Sequence, residues 1–348
     1  MQLASLLHQY QADLKSKYTH RLLPGHHRAM TAMLRCRTPA AGQIQLHCSD
    51  CASTYVQPHS CGHRSCPQCQ NHAASVWLDR QRAKLLPVEY FMLTFTVPRQ
   101  LRSLAWRHQR LMYNGLFDVA SSTLKDFGLN PKHLGADIGM TAVLHTHNRR
   151  LDYHPHLHFI VPGGGLDLAR RQWKKTRGYL FNEFALAQVF RARLLDALKA
   201  AGLSLPENLP QQWVVDCRSV GKGEPALKYL SRYLYRGTIS ENNIIANQQG
   251  EVTFRYLDAK TGTTKYRRLP GADFLWLTLQ HVLPKGFRRV RDYGFLHANA
   301  KHSLSLLQLV LRVIIKASAP PPRPLFKCPA CQAPMRITGF VRAAWSSG

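Results

Sequence analysis

Cys48-x-x-Cys51 and Cys66-Pro67-Gln68-Cys69 are separated by fourteen residues (52–65), and no other feature restricts the fold of this chain as strongly. A two-residue gap lets both sulfurs of a knuckle reach one ion, and four thiolates in two knuckles satisfy the tetrahedral preference of zinc. The spacing therefore predicts one structural Zn²⁺ held by Cys48, Cys51, Cys66 and Cys69, with the segment carrying Tyr55 and Val56 covering it. His47, His59, Cys61, His63 and His72 lie close by and leave open a different ligand set or a second ion. A closed four-thiolate site has no vacant coordination position, so the ion is expected to support the fold and to take no part in chemistry. The first ten residues lack the basic lead and continuous apolar block of a signal peptide, so a soluble, cytoplasmic, reducing location is expected. There, paired cysteines hold metal and do not form disulfides. Cys328-Pro329-Ala330-Cys331 is half a zinc site that could borrow ligands from histidines or from the N-terminal cluster, or stay idle. Cys36 and Cys217 stand alone and are read as ordinary buried thiols.

Charge narrows the partner. The 47 Lys and Arg against 19 Asp and Glu give a formal charge of +28, which calls for something strongly negative, with nucleic acid leading. The same scarcity of acid argues against an acidic-cluster metal enzyme. With 45% hydrophobic residues the chain can bury a core, which excludes a disordered basic tail. Its most apolar stretch, 304–315, is too short for a bilayer and is interrupted by Gln308 and Arg312, so no membrane partner is expected.

Composition divides the chain into four parts. Residues 1–86 form the zinc-binding region, where Arg35, Arg37, Arg64, Arg80 and Arg82 suit phosphate contacts. Residues 87–267 alternate strand-like runs (90–97, 140–146, 154–161, 212–217) with a helix at 182–201 and a second helix whose start is marked by Gly223-Glu224-Pro225. Runs 252–257 and 263–268, joined through Lys260-Thr261-Gly262, predict a hairpin. Residues 268–317 carry the basic run Lys285-Gly286-Phe287-Arg288-Arg289-Val290-Arg291, expected to track phosphates, and then an amphipathic helix. Residues 318–348 are a proline-stiffened linker and the last cysteine pair.

The most informative segment is Tyr153-His154-Pro155-His156-Leu157-His158-Phe159-Ile160-Val161. In a strand, residues two apart share a face, so His154, His156 and His158 project together, and two neutral imidazoles on one strand make a bidentate claw for a divalent ion. A third ligand is expected from the strand that reaches back through 148–152. His145 is favoured, with His147 and His154 as rivals and Glu224 and Asp216 as outside candidates. In the helix starting at Glu224, Leu227, Leu230 and Leu234 form a buried stripe. Tyr229 and Tyr233 stack one above the other on a neighbouring face, bordered by Arg232 and Arg236, while Tyr235 points elsewhere. Two phenols beside guanidinium groups suit a phosphate backbone, and a positive field favours the nucleophilic phenolate.

The knuckle Ser65-Cys66-Pro67-Gln68-Cys69-Gln70, the run His154-Pro155-His156-Leu157-His158 leading into Val161-Pro162-Gly163-Gly164-Gly165, the helix motif Tyr229-Leu230-Ser231-Arg232-Tyr233, and Leu283-Pro284-Lys285-Gly286-Phe287 with Arg291-x-Tyr293-Gly294 together resemble the HUH-type rolling-circle transposases of bacterial insertion sequences. More narrowly, they resemble the insertion-sequence ninety-one family, over most of the chain. The resemblance implies an α+β fold: an antiparallel-sheet HUH endonuclease core with helices on one face, preceded by a small zinc-binding domain. It implies that His156 and His158 hold Mg²⁺ or Mn²⁺ against a scissile phosphate in single-stranded DNA at element ends. Tyr229 or Tyr233 then attacks, leaving a 5′-phosphotyrosine link and a free 3′-OH for transfer to target DNA. Arg232, Arg236, Lys285, Arg288, Arg289 and Arg291 would contact DNA in a nucleoid-associated bacterial protein, and self-association is left open. The same residues would also serve a replication initiator or relaxase nicking an origin. A non-catalytic zinc protein that binds nucleic acid accounts for the charge equally well. A zinc hydrolase is weaker, because the chain has no H-E-x-x-H helix.

Overall fold

The computed structural model of the chain describes residues 1–69, 71–176, 178, 180–235, 238–258, 261–313 and 325–342. Helices α1 (Leu3–Tyr18) and α2 (Pro24–Arg35) open it. α1 buries Leu3, Leu6, Leu7, Tyr10 and Leu14, the one-sided spacing of an amphipathic helix. α2 starts on Pro24, whose fixed φ suits the first turn, and His26 Nδ1 accepts the Leu23 N–H at 3.0 Å. A hairpin of β1 (Gln43–Cys48) and β2 (Thr54–Pro58) follows, then α3 (Asn71–Arg82).

The next elements are β3 (Tyr90–Thr96), α4 (Arg102–Arg107), α5 (Gln109–Leu129), β4 (Met140–His147), β5 (Tyr153–Pro162), β6 (Gly164–Asp167), β7 (Gln172–Lys175), α6 (Glu183–Ala200), β8 (Val215–Ser219) and α7 (Glu224–Tyr235). A meander of β9 (Ile244–Gln248), β10 (Glu251–Leu257) and β11 (Thr264–Pro270) leads into α8 (Gly271–Leu279). The chain closes with β12 (Val290–Tyr293), α9 (Lys301–Val310) and β13 (Met335–Val341).

The fold is α+β with antiparallel sheets. Its main sheet runs β12-β4-β5-β3-β8, every neighbour antiparallel, with β5 in the centre. Period-two alternation divides its side chains: Phe91, Leu93, Phe95, Leu144, Leu157, Phe159 and Val161 pack on α5 and α6 through Tyr113, Leu116, Phe117, Leu186, Phe190 and Leu194. The opposite face carries Tyr90, Val143 and Ile160 and receives α7 through Ala226, Leu227, Leu230 and Leu234, the expected stripe. Gly223, at φ +81, makes the entry to α7; a Cβ there would lie 2.8 Å from the Tyr90 ring.

The strand expected at 212–217 is displaced to β8, since Trp213 is buried in the helix-side core before pairing begins. The cysteine-rich segment does not stand apart. α1 and α2 share a core with Ile244, Val252 and Phe254 of the meander and with α8, and α3 packs on α7. The last pair of cysteines, left open in the sequence between borrowed ligands and an idle remnant, lies just before β13, which pairs antiparallel with β1 in a three-stranded sheet, β13-β1-β2. The linker at 318–324 lies outside the described residues, as do Gln70 and Lys260. No helix among the described residues is long and apolar enough to cross a membrane.

Candidate functional site

The face of β5 that receives α7 gathers histidines. Register sets His145 of β4 directly opposite His156, and Val143 opposite His158. The donor nitrogens of His145, His156 and His158 all lie within 4.8 Å of one another. Ring centroids are 5.2 Å apart for His145–His156, 4.4 Å for His145–His158 and 4.9 Å for His156–His158. Burial, together with the neighbouring imidazoles, holds His145 and His158 well below the ordinary histidine range, and burial lowers His156 to about 4. All three rings are neutral at pH 7, the form that binds metal.

Second partners orient the rings. His156 Nδ1–H donates to the His154 carbonyl at 2.7 Å, which leaves the Nε2 lone pair for an ion. His158 Nδ1 lies 2.9 Å from Thr94 Oγ1 on β3. The two rivals to His145 also line the cleft but have their rings engaged elsewhere. A bulge after His145 sets His147 opposite Tyr153, its ring 4.9 Å from that of His281. His154 Nδ1 accepts from Arg102 Nη2 at 2.9 Å. Asp216 lies across from Thr94 and pairs with Arg218, and Glu224 pairs with Arg82 and Lys228, so neither acid joins the group.

α7 roofs this cluster. Tyr229 stands edge-on to His158 with ring centroids 6.3 Å apart. Tyr233 and Arg232 lie on the same helix, but their side chains, and Arg236 altogether, fall outside the described residues. Beside Tyr229 opens a cleft of about 550 Å³, lined by the histidines, Thr94, Thr96, Arg149, Arg150, Tyr256 and Asp258. Asp258 is the one carboxylate among the described lining residues. Arg267 of β11 donates to the Arg150 carbonyl and to Asp152, both at 2.7 Å, so the meander forms one wall of the cleft. Thr94, Arg102 and Tyr256 were not foreseen. The available signal for Thr94 was the alternation of Thr94 and Thr96 with the apolar neighbours Leu93 and Phe95, which marks a polar face on an otherwise apolar strand.

The basic run splits. Lys285 and Arg288 are exposed, whereas Arg289 is half-buried and donates to the Leu234 carbonyl at 3.3 Å. Arg291 turns to the helix-bearing face: its guanidinium sits 4.2 Å from the Phe117 ring centroid and meets Asn114 and Asp118 of α5. That position departs from the expected phosphate contact, because alternation in β12 points Arg291 away from the cleft side. Arg291→Ala should therefore lower stability by about 1–3 kcal/mol, read as a drop in thermal midpoint, without changing the salt dependence of DNA binding. Lys285→Gln with Arg288→Gln should leave stability unchanged and flatten the log–log salt slope on single strands by about 0.7 for each lost phosphate contact.

The cysteines group differently from their spacing. Cys36, Cys61, Cys66 and Cys69 form one cluster and Cys48, Cys51, Cys328 and Cys331 another. In the first, Cys36–Cys69 and Cys61–Cys69 are 3.6 Å apart and Cys66–Cys36 3.7 Å. A tetrahedral Zn²⁺ with sulfur at roughly 2.3 Å sets its sulfurs roughly 3.8 Å apart, so this cluster suits a structural zinc. The expected set of Cys48, Cys51, Cys66 and Cys69 is corrected. Cys48 and Cys51 sit at the tip of the β1–β2 hairpin, whereas His59 and Gly42 at its base hydrogen-bond to each other beside Cys61. Five strand steps of about 3.3 Å hold tip and base roughly 17 Å apart, too far for one ion. Cys36, read as an ordinary thiol, is a member of the first cluster. Cys217 is half-buried, its thiol raised to about 11 by burial.

Two family models match the chain: a transposase zinc-binding domain over residues 6–97 and a putative transposase over residues 139–303. The first span holds Cys36, Cys48, Cys51, Cys61, Cys66 and Cys69; the second holds the three clustered histidines and α7. A putative transposase of Sinorhizobium fredii, y4qJ, is 33% identical over 379 residues, covering 97% of this chain and 94% of that protein. The transposase for insertion sequence element IS801 of Pseudomonas savastanoi pv. phaseolicola is 29% identical over 335 residues, covering 89% of this chain and 79% of that protein.

Proposed function

The chain belongs to the IS91/IS801-like family of transposases, which act on DNA, and from that premise we propose that it nicks single-stranded DNA at insertion-sequence ends and rejoins it to target DNA through a 5′-phosphotyrosine link. The observation that carries this reading is the convergence of His145, His156 and His158 beneath the helix of Tyr229 and Tyr233.

Three buried neutral imidazoles, two of them oriented through Nδ1, fit a divalent ion, and His145, His156 and His158 would hold it. When bound, Mg²⁺ or Mn²⁺ supplies a Lewis acid that polarises a phosphate oxygen; an all-nitrogen donor set favours the transition-metal member, Mn²⁺. The chain does the rest. Arg149 and Arg150 on the cleft wall neutralise backbone phosphates flanking the scissile one. A phenol oxygen of Tyr229 or Tyr233 forms a bond to phosphorus as the P–O3′ bond breaks. The phenol proton passes to solvent, and the departing O3′ takes one up to become the free 3′-OH. One phosphodiester is exchanged for another, so no ATP is required, and a later 3′-OH attack on the phosphotyrosine restores the phenol. Two tyrosines allow a second cleavage while the first link persists.

The test is Mn²⁺-dependent cleavage of labelled single strands carrying element ends, with the product ends analysed. The reading requires a 3′ end that a polymerase extends and a 5′ end blocked by protein. Tight binding without cleavage across several end sequences would instead favour the zinc nucleic-acid-binding protein. Thr94→Val, which removes the partner of His158 Nδ1, should weaken Mn²⁺ binding about 10–100-fold by calorimetric titration.

A further inference from the structure

We propose that Cys48, Cys51, Cys328 and Cys331 bind a second Zn²⁺ that fastens the C-terminal tail to the N-terminal hairpin. The family model for zinc binding ends at residue 97 and includes only half of this site. Three distances support the assignment: Cys48–Cys331 at 3.5 Å, and Cys51–Cys328 and Cys51–Cys331 at 3.6 Å. These approach the roughly 3.8 Å edge of a zinc–thiolate tetrahedron and far exceed the roughly 2.05 Å of a disulfide.

The two halves are built alike. After Cys51 the chain turns through Ala52 at φ +58, and after Cys331 through Gln332 at φ +63, left-handed conformations uncommon in residues other than glycine. The amide of the first cysteine then closes each turn onto the carbonyl five residues on: Cys48 N to Ser53 O at 2.9 Å, and Cys328 N to Ala333 O at 2.8 Å. Two matching knuckles, each with its sulfurs turned toward the other, are what a single tetrahedral ion requires. The set is all thiolate and tetrahedral, which suits zinc over magnesium or manganese.

The sheet also needs the ion. Its core is Ile44, Leu46, Met335 and the cysteines Cys48 and Cys328, with Tyr55, Phe326 and Ala333 at the edge. On β13, Ile337 and Phe340 remain 49% and 70% exposed. A core of that size does not hold three strands together, and a metal is the usual substitute. Cys51 and Cys328 are 277 positions apart in sequence, so the ion would close most of the chain into a loop, joining the β1–β2 hairpin to the segment that leads into β13.

Elemental analysis of the full-length protein, purified with a thiol reductant, should find two zinc ions per chain and no iron. The Cys328→Ser/Cys331→Ser variant should retain one ion, and trypsin should now cut at Lys327 and Arg336 while the remainder stays intact. Cys48→Ser/Cys51→Ser should reproduce both effects from the other end of the chain, which a local fault in the tail would not. If either variant folds poorly, the wild type still decides. A chromogenic chelator should release one ion quickly, through the exposed Cys51 and Cys331, and one slowly from the cluster containing the buried Cys66 and Cys69. Sensitivity at Lys327 should rise with the fast phase. One zinc per wild-type chain, iron in the second site, or two ions retained in the variants would overturn the proposal.

Discussion

His156→Ala should slow single-strand cleavage by roughly 10²–10⁴-fold while leaving single-strand affinity within a few-fold of wild type. The factor corresponds to the several kcal/mol of charge stabilisation that a Lewis acid supplies at phosphate. His156 is one of the three clustered donors, its ring centroid 5.2 Å from that of His145 and 4.9 Å from that of His158, with its Nε2 left free by the Nδ1–H bond to the His154 carbonyl. His154→Ala is the control that gives the number its meaning. That ring also faces the cleft, but its Nδ1 is taken by Arg102 and it lies outside the donor group, so its loss should cost less than about tenfold. Equal losses at the two positions would mean that the cluster does not single out an ion site.

Cys36→Ser is the largest stability change expected outside the cleft. Spacing alone makes Cys36 a bystander, whereas its sulfur lies 3.6 Å from that of Cys69 and 3.7 Å from that of Cys66. Binding of a structural zinc is worth roughly 10–16 kcal/mol in small zinc domains, comparable with or above the whole stability of a typical domain at about 5–15 kcal/mol. Cys66 and Cys69 also belong to the core that joins α1, α2, the meander and α8, so the damage should spread beyond the ligands. Loss of one zinc ion and a thermal midpoint lower by about 10 °C or more, on the order expected for losing a structural metal, should appear together in calorimetry with elemental analysis. Cys217→Ser, at a lone half-buried thiol, should change the midpoint little.

What could be read from the sequence were the features whose geometry is local. The period of two in 154–158 suffices to place His156 and His158 on one face, and the helical period in α7 suffices to bury Leu227, Leu230 and Leu234 against the sheet. Choosing His145 over His147 required the register of β4 against β5 and the bulge between them, which the chain does not announce. The cysteine partners were hidden for a related reason. Two C-x-x-C pairs near each other in sequence were separated by the length of a hairpin, and the true partner of Cys48 and Cys51 lay at the far end of the chain. Likewise the pairing of β1 with β13 depends on long-range contact, and the twenty-one-residue α5 escaped because its buried positions include Gln109, Ser121, Thr123 and Gly128, which blur its apolar stripe. The charge pattern of the basic run was visible, but the side of the sheet on which each residue emerges was not, and Arg291 went to the helices.

The most direct measurement of the central claim is peptide mapping of the covalent product. Protein incubated with Mn²⁺ and labelled single-stranded element ends is denatured, digested with protease and nuclease, and searched by mass spectrometry for a nucleotide-bearing tyrosine. The account predicts a 5′-phosphotyrosine within 224–235, on Tyr229 or Tyr233, that disappears in the Tyr229→Phe/Tyr233→Phe protein and in His156→Ala. A cleaved strand with a free 5′ end and no attached peptide, or an adduct that survives both substitutions, would contradict it.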